Sequence, residues 1–420
     1  MAIHIILFIG YALLCVYGIL KLPFFRRSDI RPLALVFLFA LHVLSGCIHN
    51  HVAWRYYPGH GDIWQFFERS LYDRHELMVN FHQFLAENVI SDYASHNAID
   101  LIHLLLNLFS FDNLYINTLL FSFPVFMGNL SLYRVFRLRY PDSLLPSACV
   151  FLLPSTLFWT SCIHREALLY MLLGFLLPGI HRLLTRGYHR GEIIRCLFLF
   201  LLIAYVRDVV ALLLIPAIFF WVLAEKPRAR RPLLLAAGAI LAVSLLLVLA
   251  IPGQTIPEVI SRRQAQFLHL EGHSLLLLPP LDASWYGLLS ELPVAILNGW
   301  FEPLPGSGGQ PVYLVFSIEL LVIWICAAIA LTLKHSPYRP LQIPPFGPAF
   351  PFGLFSLVFA LTGMLSIGMI IPFAGSIIRY RSIYLPFLLT PFLYSLCSLR
   401  PLRRLDGWLS SRCLRPAPSA

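Results

Sequence analysis

Apolar stretches of about 20 residues recur along this chain, and each is long enough to span the hydrocarbon core of a bilayer as a helix. They occupy 2–20, 32–48, 114–133, 144–163, 167–181, 233–252, 312–333, 349–373 and 382–399. One more apolar stretch, 196–224, is interrupted by Arg207 and Asp208. Each of its halves is short for a span, so it reads as a helical hairpin or as two half-helices meeting within the membrane. The 420 residues are 58% hydrophobic and 12% charged, with a mean hydropathy of +0.75, whereas a soluble domain carries about a quarter charged residues. The expected fold is all-α: a single polytopic transmembrane bundle over 1–420 of about ten spans.

The net charge of +10 does not point to nucleic acid, because the basic residues cluster between apolar stretches as the positive-inside rule predicts. Most of the 31 Lys and Arg residues fall in connections at 21–31, 134–139, 182–195, 226–231, 334–339 and 400–415, which are assigned to the cytoplasm. The N-terminus then lies outside. Residues 2–20 lack a basic leader and a small-residue cleavage site and read as a retained first span. The basic segment 400–420 forms a cytoplasmic tail. Two outward loops are long, 49–113 and 253–311. In the first, 101–111 is too short to cross and suits a helix lying along the interface. In the second, 285–300 has the composition of a segment that dips into the membrane.

Several polar residues in or beside these stretches are candidates for chemistry. Asp62 follows span two behind Gly59 and Gly61, where an acid is either a general base at the mouth of a cavity or a solvated loop carboxylate; Glu68 is its nearest acidic partner. His164, Arg165 and Glu166 make an outward turn. Arg165 there either binds phosphate through its planar fork or only snorkels. Arg207 and Asp208 lie at depth, where a charge faces a cavity or a partner. Arg379 and Arg381 flank Tyr380 at the outer start of the last span, as an anionic headgroup clamp or as interface anchors. Glu319 sits inside a span, as a proton-relay group or as an interhelical hydrogen-bonding group. The eight cysteines contain no CxxC and indicate neither a disulfide framework nor a zinc site. Of the histidines of the first loop, His49 and His51 alone have ligand spacing, and no dedicated transition-metal site is expected.

In this order the features resemble the GT-C superfamily of membrane glycosyltransferases. The matching residues are Gly61-Asp62; Pro154, Trp159, Ser161, Arg165, Glu166 and Ala167; Trp300, Pro303 and Pro305; and Arg379-Tyr380-Arg381 with Pro386. The resemblance implies transfer of a sugar from a polyprenyl-phosphate carrier to a saccharide, lipid or protein acceptor on the outer face, in a bacterial cytoplasmic (inner) membrane. Asp62 would be the catalytic base, and Arg165, Glu166, Arg207, Arg379 and Arg381 would bind substrate. Many members carry two neighbouring acids in the first loop. Here Asp62 stands alone until Glu68, which leaves a divalent cation as an open cofactor. A polysaccharide polymerase or lipid-linked saccharide flippase would also use outward arginines. A secondary transporter would require inverted repeats and broken helices in both halves.

Overall fold

A computed structural model describes residues 2–57, 59, 61–86, 94–141, 143–225, 255–270, 274–276, 278–304, 311–333 and 350–415. The apolar stretch 233–252, the proline-rich loop 336–348, Pro305 and the basic cluster 226–231 lie outside these residues. The described chain is helical, and its only β-pairing consists of isolated bridges, Ile30 with Leu414 and Leu275 with Phe373.

The helices in chain order are α1 (Ala2–Lys21), α2 (Pro23–Arg26), α3 (Pro32–Tyr56), α4 (Gly61–Val79), α5 (Phe81–Leu85), α6 (Ala94–Ser110), α7 (Leu114–Arg139), α8 (Leu145–Leu152), α9 (Pro154–Thr160) and α10 (Arg165–Arg186). They continue as α11 (Arg190–Val206), α12 (Asp208–Ala224), α13 (Ile256–Leu268), α14 (Trp285–Ser290), α15 (Leu292–Ile296) running into a π-turn Leu297–Phe301, α16 (Pro311–Leu333), α17 (Phe350–Ile370), α18 (Ala374–Arg381), α19 (Leu385–Leu396) and α20 (Arg400–Cys413). Among the described residues, six helices are long and apolar enough to cross a membrane: α1, α3, α7, α10, α16 and α17. The count becomes seven if α19 and α20, bent by 111° to each other, are taken as one broken span. This is the architecture of an integral membrane protein.

The remaining apolar stretches are broken where the sequence places proline or charge. Residues 144–163 form α8 and α9 rather than one span, because Leu153 precedes Pro154 and takes an extended conformation, φ −65° and ψ 122°. The backbone groups freed there are met in part by Glu319 of α16, whose carboxylate accepts from the Ser155 N–H at 3.1 and 3.2 Å. Of the two readings of that buried acid, the structure shows interhelical hydrogen bonding at the start of α9. In the same way α11 ends and α12 begins at Arg207, extended at φ −158° and ψ 101°.

The core is built around α7. Its apolar window is 72% buried, against 11% for α1, so α7 is the central pillar and α1 lies at the periphery. α7 crosses α10 at Gly128 and Gly174, where the backbones touch: a Cβ at Gly174 would lie 2.1 Å from the Gly128 carbonyl oxygen. Small residues permit such close helix packing where no hydrophobic effect drives association. At one end of α7, Asp406 of α20 accepts from Ser143 Oγ and from the N–H groups of Leu144 and Leu145, each at 2.8 Å. That carboxylate caps α8 and docks the basic α20 across the bundle end.

At the other end of α7, α4 and α6 form an outer layer held by buried polar contacts. Asn107 Nδ2 donates to Ser70 Oγ at 3.0 Å and Asn117 Nδ2 to Asn107 Oδ1 at 2.6 Å. Arg69 pairs with Asp100 at 3.2 Å. Helix α6 is longer than the expected interfacial segment and begins seven residues earlier, at Ala94 rather than 101.

The α7–α10 crossing generates a direct prediction. Gly174→Val should force these helices apart, at a cost of about 1–3 kcal/mol or more for overpacking. Thermal unfolding in detergent should show a clear drop for Gly174→Val and little change for Gly191→Ala, where a Cβ meets open space. Equal stability of the two variants would place the crossing elsewhere.

Candidate functional site

The turn from α3 into α4 positions Asp62. Gly59 and Gly61 take positive φ values of 58° and 71°, which reverse the chain where other residues would be strained. Trp64 Nε1 then donates to the Asn50 carbonyl at 2.9 Å, fixing α4 against α3. Asp62 is thereby presented in the first turn of α4 with a 48% exposed side chain.

Three distant segments converge around this acid. Arg379 of α18 pairs with Asp62 at 2.5 Å, and its Nε lies 3.8 Å from Glu166 in the first turn of α10. Arg207, at the α11–α12 break, lies 3.5 Å from the same Glu166 oxygen. Both guanidinium groups pack on Tyr380, with Arg207 3.9 Å and Arg379 4.8 Å from its ring centroid. Arg379 also donates to the Tyr380 hydroxyl at 2.9 Å. These are cation–π contacts strengthened by the partial exclusion of water.

The cluster leaves cationic capacity unspent. Among the described residues, Glu166 Oε1 and Arg379 Nε are both buried without a hydrogen bond, and Glu166 Oε1 stands 3.8 Å from Arg379 and 3.5 Å from Arg207, longer than a good charge-assisted contact. Arg165 adjoins the cluster, and among the described residues no carboxylate lies within ion-pair distance of it.

Beside the cluster is a cavity of about 580 Å³. Arg165, Arg207, Tyr380 and Tyr384 form its polar end, and Val206, Val210, Phe267, Ile367, Ile370 and Ile383 are among its apolar walls. Arg263 of α13 pairs with Asp208 on the rim. The cavity therefore joins a cationic end to a hydrocarbon-like wall. Asp62 and Arg379 are not among its lining residues; Arg379 is linked to it through Tyr380, which is.

Of the candidates from the sequence, the structure assembles Asp62, Glu166, Arg207 and Arg379, and sets Arg165 beside them. Arg381 goes elsewhere. It is 1% exposed and donates to the carbonyls of Gly299 and Glu302 at 3.2 and 2.5 Å. Positions i and i+2 of a helix point to opposite faces, so α18 splits the expected arginine clamp: Arg379 faces the cluster and Arg381 holds the π-turn. His49 and His51 are divided for the same reason, one buried and one exposed. Glu68 is exposed and outside the cluster. The Arg263–Asp208 pair joins residues 55 positions apart, and nothing in their local sequence announces it.

Arg379 holds the Asp62 carboxyl down from its ordinary 3.8 to about 2, against the opposing effect of burial. The folded state therefore favours ionised Asp62. This contribution is complete above about pH 4 and is lost as the pH falls through about 2. Discounted for the exposure of the carboxylate, it is on the order of 1 kcal/mol. Between pH 5 and 2 the thermal stability of the native protein should fall further than that of Asp62→Asn, whose amide does not titrate; parallel curves would show that the pair contributes nothing. Comparison of the chain with protein-family models, with curated proteins and with solved structures finds no match.

Proposed function

We propose that the protein is a multi-pass glycosyltransferase of about ten spans that moves a sugar from a polyprenyl-phosphate carrier to an acceptor on the outer face of a bacterial cytoplasmic membrane. In this reading 196–224 enters and leaves on the cytoplasmic side, and the first outward loop carries the catalytic acid. The observation that carries the reading is the junction of Asp62, through Arg379, Glu166 and Arg207, with a cavity that is cationic at one end and apolar along its walls. A lipid phosphate has this chemistry: an anionic head on a hydrocarbon chain.

The reaction assigns each group a role. The acceptor hydroxyl oxygen attacks the anomeric carbon, and the bond from that carbon to the phosphate oxygen breaks, its electron pair leaving with the carrier phosphate. Arg165, Arg207 and Arg379 face the charge that develops on the leaving group. Asp62 takes the hydroxyl proton. A carboxylate held at about 2 by Arg379 is a weak base. Donor binding supplies the remedy: a phosphate that draws Arg379 toward itself weakens the pair with Asp62 and raises the carboxylate's basicity only when substrate is present.

A carrier flippase or polysaccharide polymerase is the second reading, favoured by one observation. Asp62 lies outside the cavity lining and is engaged by Arg379, as it would be if its task were structural. Transfer of labelled sugar from a polyprenyl-phosphate donor in nanodiscs, with donor binding measured separately, distinguishes the two. Asp62→Asn should lower transfer by ~10²–10⁴ while preserving donor binding. Arg165→Leu should weaken donor binding by about tenfold or more, and Arg186→Leu, at the far end of α10, should do neither. Near-normal transfer by Asp62→Asn would remove it as the base and favour the second reading.

A further inference from the structure

Behind the cluster, three side chains of metal-ligand type face one another with no assigned task. His49 of α3 and Cys162 and His164 of the α9–α10 turn offer ligand atoms that all lie within 4.8 Å of one another. They are 1%, 0% and 4% exposed. From this convergence we propose that His49, Cys162 and His164 form a binding site for a single zinc ion.

Two local devices build the site. The Cys162-Ile163-His164 turn is closed by a 2.9 Å bond from the His164 N–H to the Cys162 carbonyl, which brings the two side chains close together. Helix α3 reaches this turn through Gly46, one helical turn before His49: a Cβ there would lie 2.4 Å from the Ser161 carbonyl oxygen. The close approach delivers the His49 ring to Cys162 and His164. Phe158 and Trp159 pack on that ring, with centroids at 4.7 and 4.9 Å, and hold its rotamer.

The independent sign of a ligand is His49 itself. Both of its ring nitrogens are buried, and among the described residues neither has a partner in good hydrogen-bond geometry. Buried polar atoms in native proteins are nearly always satisfied, and an exception calls for an explanation such as an ion. A metal bond to one nitrogen supplies it. Thiolate with two imidazoles is a donor set that suits zinc, whose tetrahedral site places N and S donors roughly 3.3–3.6 Å apart. Small side-chain rotations bring the three atoms from within 4.8 Å to that spacing. Glu166 Oε2, 4.0 Å from His164 Nδ1, stands where a carboxylate orients a metal-bound imidazole. The site thus lies against the Glu166 face of the charged cluster, and its existence does not depend on glycosyl transfer.

The test uses the full chain purified in mild detergent through a tag free of histidine, with metal content measured per chain. Wild type should carry about one zinc ion. Wild type stripped by chelator and reloaded with cobalt should show thiolate-to-cobalt charge-transfer absorption. Cys162→Ser should lose that absorption and bind zinc roughly 100-fold or more weakly, while Cys196→Ser, remote from the site, should match wild type. Should Cys162→Ser fail to fold, the reloaded wild-type protein decides alone. Folded wild type recovered without zinc, recovered with copper in its place, or reloaded without a thiolate band would overturn the proposal, as would full zinc retention by folded Cys162→Ser.

Discussion

A carboxylate at residue 62 and a guanidinium at residue 379 are separated by 317 positions and meet at 2.5 Å. Arg379, with a side chain only 17% exposed, is not placed where it could remain alone. Asp62 opens a helix that turns back onto the bundle, and Arg379 lies among buried residues of α18. Unpaired, a charge within the apolar zone costs roughly 2.5–3.5 kcal/mol on insertion scales. Pairing offsets that cost only if the loop that leads into α4, the start of α10, the α11–α12 break and α18 arrive at one point. The polar ladder Ser70–Asn107–Asn117 and the Trp64–Asn50 contact bring the loop there. The break at Arg207 brings the other guanidinium. The architecture of this end of the bundle follows from that convergence.

How much of this was legible in the sequence depended on the range of the interaction. Spans such as 114–133 and 167–181 are written in local composition, and they reappear within α7 and α10. So is the discontinuity at 207–208, because charge inside an apolar stretch is visible one residue at a time. Residues 144–163 show the limit. Their hydropathy is that of a span, but Pro154 fixes the residue before it in an extended form and two short helices result. Arg379 and Arg381 show another. Their alternation suggests a clamp only if the segment is extended, and α18 is a helix that sends them apart.

The pairings were not legible. Asp62, Glu166, Arg207 and Arg379 could each be nominated from type and position, but their common location depends on helix crossings such as that of Gly128 on Gly174, which leave no local signature. His49 was visible beside His51, the wrong partner for a helix. Its neighbours Cys162 and His164 lie more than 110 positions away and become apparent once Gly46 is seen to seat α3 on their turn. The two features share Glu166, which faces the arginines through Oε1 and His164 through Oε2. The charge of the cluster and the orientation of His164 are therefore set by one side chain.

The central claim is that the arginines of this cluster hold a lipid phosphate and that its arrival loosens the hold of Arg379 on Asp62. A structure determined in nanodiscs with a polyprenyl-phosphate sugar bound tests it most directly. The account predicts phosphate oxygens within hydrogen-bond distance of Arg379 and of Arg165 or Arg207, the isoprenoid chain along the apolar cavity wall, and an Asp62–Arg379 separation longer than 2.5 Å. A phosphate bound away from these arginines, or one bound beside them with the Asp62–Arg379 contact unchanged, would contradict it.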